Sequence, residues 1–430
     1  MDEGFTPSEL RPREVPWEAL AGLGPALDAP LRDVLGGAPA ERVLDRLLRG
    51  LPALSRGARA AVAEAVFGVG LWRRRLRRQL GDGAAPPRLL LAALVRELGG
   101  RADAAALLAL DAGALPAPRP PPPALADRYS LPDWLAAELV RAAGHQAAAL
   151  ADALNGPAPI CLRVNGARTT RAALVARLAA EGIAAAPAAL APEGLVVSAG
   201  VGRRPNLYGT AAWRAGEFEV QDEASQLAGA LAATPGGAVL DACAGAGGKT
   251  LLLAAHAGAA GRVHACDLDQ VRLERLRARV ARAGVADRVL VHGAAPPPGL
   301  AVDAALVDAP CSELGTLRRG PDLRWRLEPA AFAHLPALQL ELLAGAARCV
   351  RPGGRLVYAT CTFREEEDEA VARAFERAHP GFHRLRPAAP GAVHTPEGFL
   401  RTWPHRHGAD AFFAAAWQRG DLGGREAASP

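Results

Sequence analysis

The chain carries a single lysine, Lys249, and writes the rest of its basic complement as arginine, with Lys and Arg together numbering 50. A GC-rich genome that uses Arg wherever either cation serves accounts for the bias, which marks Lys249 as a position that escaped it. No uninterrupted apolar run in the chain is long enough for a bilayer span, which takes roughly 20 residues. The acidic start Met1-Asp2-Glu3-Gly4 also lacks the apolar core of a signal peptide. The expectation is a soluble, cytoplasmic protein with no membrane partner. Cys161, Cys243, Cys266, Cys311, Cys349 and Cys361 show no short paired framework, which argues against an extracellular disulfide scaffold and for reduced thiols. No Cys or His completes a ligand set at metal spacing, so no metal is expected.

With those classes set aside, the length of 430 residues and a hydrophobic share of 50% allow two or three domains and a substantial core. A net charge of +5 and a pI near 9.1 are compatible with a nucleic-acid partner. From Pro16 to about Leu110 apolar residues recur at helical steps, as in Leu44, Leu47, Leu48 and Leu51, with no alternating run. The Trp72-Arg73-Arg74-Arg75-Leu76-Arg77-Arg78 cluster reads as a solvated helix face or, equally, as guanidiniums placed for phosphates. Proline-rich residues 112–126 predict an extended linker and the main domain boundary. Strand and helix then alternate in a small α+β module at 127–215. From Ala238 regular βα units imply a parallel sheet with helices on both faces and ligands at the strands' carboxyl ends. In that part, a helix is predicted over Gln270–Ala283, ending at Gly284. The expected organisation is an all-α unit at 1–111, the linker, the module, an α/β catalytic domain at 216–419 and a disordered tail at 420–430.

The turn Asp241-Ala-Cys-Ala-Gly245-Ala-Gly247-Gly248-Lys249-Thr250 ends like a P-loop but has Cys243 where that motif requires glycine. It also fails the dinucleotide fingerprint, since Thr250 occupies the third glycine position. What remains is Asp-x-x-x-Gly-x-Gly after a strand, followed by an acid, Asp267, at the end of the next. Small residues there let the backbone approach a ligand, and a carboxylate suits ribose hydroxyls. This pattern resembles the S-adenosylmethionine site of the class I methyltransferase fold. Later, Cys311 and Cys361 each follow an apolar strand, so both thiols are expected at one edge of the sheet.

With Asp308-Ala309-Pro310-Cys311 and Ala359-Thr360-Cys361-Thr362, the chain resembles the Sun-type RNA cytosine-5 methyltransferases. Leu162-Arg163-Val164-Asn165, Gln221-Asp222-Glu223-Ala224-Ser225 and Asp410-Ala411-Phe412-Phe413 extend the likeness across the rest of the chain. The helical part around Leu54–Arg75 is similar to the NusB-type RNA-binding domain that precedes the catalytic part in the RsmB-like enzymes of small-subunit ribosomal RNA. The resemblance implies a Rossmann-like fold, S-adenosylmethionine as cofactor, and a monomer acting on an exposed cytosine of 16S ribosomal RNA. It assigns Cys361 as the nucleophile at C6, Cys311 to elimination, Asp308 to N3 and the exocyclic amine, and Lys249 to the target base. It places the cofactor against Asp241, Cys243, Ala244, Gly245, Ala246, Gly247, Gly248, Lys249, Asp267, Leu268, Arg272, Ala294 and Asp308. Arg318, Arg319, Arg324 and Arg326, interleaved with Trp325, are expected to meet RNA. The chain departs from the family pattern at Ala246, where proline is usual, at Thr362, where serine is common, and at Ala294, where an acid for the adenine amine is expected. Two rival readings keep the fold: a non-catalytic ribosome-assembly factor, and the same chemistry on transfer RNA.

Overall fold

The computed structural model describes residues 5–81, 83, 85–111, 113–198 and 205–420; the acidic start and the tail beyond 420 lie outside them. The chain divides into two compact units.

The first unit comprises residues up to Ala158 together with Thr316–Ala331, and its described elements are helical. Its longest helix, Arg56–Leu80, starts where the Ser55 hydroxyl accepts the Ala58 N–H at 3.1 Å and stops at Gly81, whose φ of +98° suits only glycine. Val62, Val69, Trp72 and Leu76 bury one stripe of it against the helices Gly24–Leu35 and Pro87–Glu97. Within the proline-rich linker residues 116–122 form neither helix nor strand, but 113–115 turn and Leu125–Arg128 is helical, and the segment is tied down: Arg96 donates to the Pro116 carbonyl at 2.6 Å. The units part after Ala158 rather than at the linker, because the helices Asp133–Ala143 and Ala147–Asn155 pack with the N-terminal helices.

The second unit contains two sheets. In chain order its strands are β1 (Ile160–Val164), β2 (Ala185–Pro187), β3 (Gly194–Val197), β4 (Phe218–Val220), β5 (Ala238–Asp241), β6 (Arg262–Ala265), β7 (Val289–Val291), β8 (Val302–Asp308), β9 (Val350–Thr360), β10 (Phe382–Leu385), β11 (Leu400–Arg401) and β12 (Phe413–Arg419). The small antiparallel sheet has the order β2-β3-β1-β4. The α+β module therefore runs to Val220, beyond the expected end at 215, since β4 pairs with β1.

The large sheet has the order β10-β12-β9-β8-β5-β6-β7, with β11 beside β12. Five strands, β5 to β9, are parallel as predicted, while β12 runs antiparallel to β9 and β10. Strand order reverses between β5 and β8, the kind of switch point at which open α/β sheets bind ligands. The Gln270–Ala283 helix has the bounds its sequence implied. The Asp269 carboxylate caps the Arg272 N–H at 3.1 Å, Leu273, Leu276 and Val280 are buried, and Gly284 ends it at φ +72°. The segment Pro329–Cys349 has the length and mean hydropathy of a membrane span, yet polar residues interrupt it and Leu343, Ala346 and Ala347 of its helix join the core on β8 and β9.

Candidate active site

The site forms where β5, β6, β8 and β9 end. β8 closes on Asp308 and continues into Ala309-Pro310-Cys311-Ser312; β9 closes on Thr360 and continues into Cys361-Thr362. The two exits are stitched together. Ala309 N–H donates to the Ala359 carbonyl at 2.9 Å, and the Ser312 and Thr362 hydroxyls lie 2.8 Å apart. Beneath them, the buried Glu367 carboxylate accepts the Ser312 N–H at 2.9 Å and the Gln339 amide at 3.0 Å. The consequence is a thiol pair: Cys311 Sγ and Cys361 Sγ are 3.3 Å apart. All six cysteines are free thiols.

Lys249 sits in the first turn of the Gly248–Ala257 helix, following the glycine turn. Its Nζ donates to Asp308 Oδ2 at 2.6 Å and lies 5.1 Å from the centre of the Phe412 ring. The ammonium is buried, so its charge is balanced inside the site by one carboxylate and one aromatic face. The hydrogen bond to Cys311, and then burial, push the Cys361 thiol well above the ordinary range. Burial likewise pushes the Cys243 thiol up, and Cys266 to about 12.

A cavity of about 420 Å³ opens on this pair, and its lining includes Cys243–Ala246, Gly248, Lys249, Asp267, Arg272, Asp308 and both catalytic-candidate thiols. The turn is shaped for a ligand. Gly245 and Gly247 have φ of +53° and +91°, and a Cβ on Gly247 would stand 2.9 Å from Leu276 Cγ. Only glycine takes such backbone angles without strain. Asp267 braces the turn by accepting the Gly245 N–H at 2.8 Å, while Asp269 does the capping. The donor set fits S-adenosylmethionine: a carboxylate at the edge of the second strand, small residues under the turn, and no described side chain filling the space.

Four of the expected ligand residues do not line this cavity. Asp241 is buried beneath the turn, where its Oδ2 accepts the Thr250 hydroxyl at 2.7 Å; burial raises its carboxyl to about 7. Gly247 shapes the turn without lining the cavity. Leu268 is 80% exposed, and Ala294 is exposed and off the lining, so neither belongs to the cavity wall. The cavity adds Gln221, Ser225 and Glu313. Gln221 is held by buried Arg163, whose Nε donates to its Oε1 at 2.7 Å, and the order of Leu162-Arg163-Val164 carries no hint of that reach.

Of the loop arginines, Arg318 and Arg324 are a correction, while Arg319 and Arg326 are exposed. Arg318 is buried. Arg324 is buried as well, donating to Asn155 Oδ1 at 2.6 Å, and Arg326 pairs with Asp322 at 3.3 Å. Trp325 donates its indole N–H to the Gly70 carbonyl at 2.8 Å. Arg324 serves the first unit's packing, because a guanidinium enclosed this way cannot reach phosphate. In the helical cluster, Arg75 is likewise buried and paired with Glu9.

Comparison with known proteins places the chain by family and fold. Residues 228–418 match the family described as 16S rRNA methyltransferase RsmB/F, and residues 131–202 match its ferredoxin-like domain. A probable ribosomal RNA small subunit methyltransferase B of Synechocystis is 35% identical over 303 residues, 68% of this chain and 67% of that one. Its counterpart in Bacillus subtilis is 34% identical over 310 residues, 69% and 68% of the two chains. The crystal structure of PH0851, 24% identical with a TM-score of 0.74, shares the fold over 97% of this chain and 99% of its own. With residues 228–418 matched by the family model and two thirds of a 35% identical relative's length covered, the chain belongs to the 16S rRNA methyltransferase RsmB/F family, a family of S-adenosylmethionine-dependent methyltransferases.

Proposed function

We propose that the protein methylates C5 of a cytosine in small-subunit ribosomal RNA through a covalent adduct between Cys361 and C6. The observation that carries this reading is the 3.3 Å thiol pair beside the Lys249–Asp308 ion pair in one cavity. Cytosine C5 is a weak nucleophile, and a thiolate added at C6 makes it enamine-like. Bound S-adenosylmethionine supplies an electrophilic methyl group at a sulfonium; Gly245, Ala246, Asp267 and Arg272 line the part of the cavity that would hold it.

The protein's own groups do the rest. Cys361, once its Sγ proton has been released to solvent, forms the Sγ–C6 bond as thiolate while the C5–C6 π pair shifts toward C5 and N3. Asp308, held by Lys249, accepts from the exocyclic amine, and the Lys249 ammonium offsets the negative charge that develops toward N3. Once C5 carries the methyl group, Cys311, its own thiol proton having passed to solvent, takes the C5 proton as thiolate. The electron pair left behind re-forms the C5–C6 double bond and expels Cys361 as thiolate. A base within a duplex cannot present C6 to a thiolate, so the substrate nucleotide is unpaired or flipped.

The test is incubation of the full chain with methyl-labelled cofactor and unmethylated 16S ribosomal RNA or transfer RNA, followed by mapping of 5-methylcytosine. Label at cytosine C5 of the ribosomal RNA is the expected result. Label confined to transfer RNA would change the substrate, and RNA binding without transfer to either would make the chain a non-catalytic factor.

A further inference from the structure

In the first unit a recess of about 350 Å³ is lined by Arg73, Arg74, Arg77, Arg78, Asp127 and Trp325. Four cations face one carboxylate, and that carboxylate is already shared: Asp127 accepts Arg74 Nε at 2.6 Å and Arg78 Nε at 3.2 Å. Arg74 also reaches Asp133 at 2.6 Å. Arg73 and Arg77, one helical turn apart, are left over. Arg73 is half-buried with its guanidinium 4.0 Å from the centre of the Trp325 ring; its hydrogen bond is a long one of 3.5 Å to the Leu35 carbonyl, and no carboxylate among the described residues pairs with it. Arg77 is exposed and has no hydrogen-bond or ion-pair partner among the described residues.

The Arg73 guanidinium is also pre-set. Trp325 is fixed by its indole bond to Gly70, and the ring holds the guanidinium, so little rotamer freedom remains to be lost on binding an anion. Burial and the nearby Arg77 charge lower the Arg73 pKa to about 10, the mark of a cation short of counter-charge.

We propose that this recess holds a backbone phosphate of the RNA substrate, gripped by Arg73 and Arg77. The inference rests on the functional reading above in taking RNA as the ligand, and it gives the helical unit a direct RNA contact.

The test uses the full chain, as wild type, Arg77→Ala, Arg77→Lys and Arg77→Glu, in filter binding to transcribed 16S ribosomal RNA between about 50 and 200 mM KCl. Arg77 touches nothing that folding needs, so thermal unfolding should be unchanged in all four. Arg77→Ala should weaken binding about three- to tenfold and flatten the slope of log K against log salt by about 0.7–0.9, the loss of one phosphate contact. Arg77→Lys should keep the slope, and Arg77→Glu should bind more weakly than the alanine variant. An Arg77→Glu protein with wild-type affinity and slope overturns the proposal, as does a wild type with no salt-dependent RNA binding. Methyl transfer by the wild type, read in parallel, separates the two readings. Transfer with unaltered Arg77→Glu binding sinks the recess alone, whereas binding lost in Arg77→Glu without wild-type transfer sinks the proposed reaction alone.

Discussion

Cys311 and Cys361 share one hydrogen bond, and their roles in the proposed reaction differ by which of them gives up its proton first. The bond to Cys311 is the largest cause of the raised Cys361 pKa, so Cys361 stays a thiol until pH is high or the bond is broken. Removing Cys311 therefore lowers the pKa of Cys361. Iodoacetamide labelling of Cys361, followed by mass spectrometry, should rise at lower pH in Cys311→Ala than in wild type; an unshifted profile would show that burial alone sets the acidity. In the reaction itself, Cys311→Ala should accumulate a covalent RNA adduct visible on a denaturing gel, while Cys361→Ala should form none and lose at least about 10³-fold in transfer. The reverse pattern would exchange the two roles. Both thiols were legible from the sequence because each follows an apolar strand, and the pairing of β8 with β9 brings those strand ends side by side.

At the scale of elements, the exits of β8 and β9 are locked through Gly315 to the segment that leads into β12. Its N–H donates to the Cys361 carbonyl at 3.0 Å, and its own carbonyl accepts the Ala411 N–H at 3.1 Å. A Cβ there would stand 2.1 Å from the Ala411 carbonyl oxygen and 2.8 Å from that of Cys361. Gly315→Ala should cost about 2–3 kcal/mol by overpacking against backbone, a fall of roughly 5–10 °C in melting temperature, and should move Cys361 enough to slow transfer beyond the loss of folded protein. An unchanged melting temperature would refute that steric reading. Elements with local signals were the legible ones. The Gln270–Ala283 helix announces its cap, stripe and terminal glycine within a single short window. By contrast β2, β4 and β10 are three or four residues long and exist through their partners, which no window along the chain contains. Leu268 and Ala294 were assigned to the cofactor by position in a motif, but their exposure depends on how far β6 and β7 carry the chain before it turns.

At the scale of the molecule, Thr316–Ala331 leaves the strand-bearing unit just after the cysteine loop and is counted with the helical one. Asp322 receives the Ala40 N–H at 3.2 Å, at the start of the Ala40–Gly50 helix. A carboxylate at that end also suits the helix dipole. Arg324 reaches Asn155 across 169 residues of sequence, which is why an arginine-rich loop read as an RNA contact from charge pattern alone. Arg324→Ala should strip partners from a buried amide and a buried carbonyl and cost about 2–4 kcal/mol. Thermal unfolding and protease cleavage within 316–331 would measure it; wild-type resistance on both counts would mean the anchor is dispensable.

That excursion also bears on inheritance. A gene cut once, after the codon for Ala158, separates the helical unit from a segment it depends on and leaves the remainder with Arg324 and Trp325 deprived of Asn155 and Gly70. A one-crossover exchange of the two units is therefore expected to cost stability unless residues 316–331 come from the same parent as the N-terminal half.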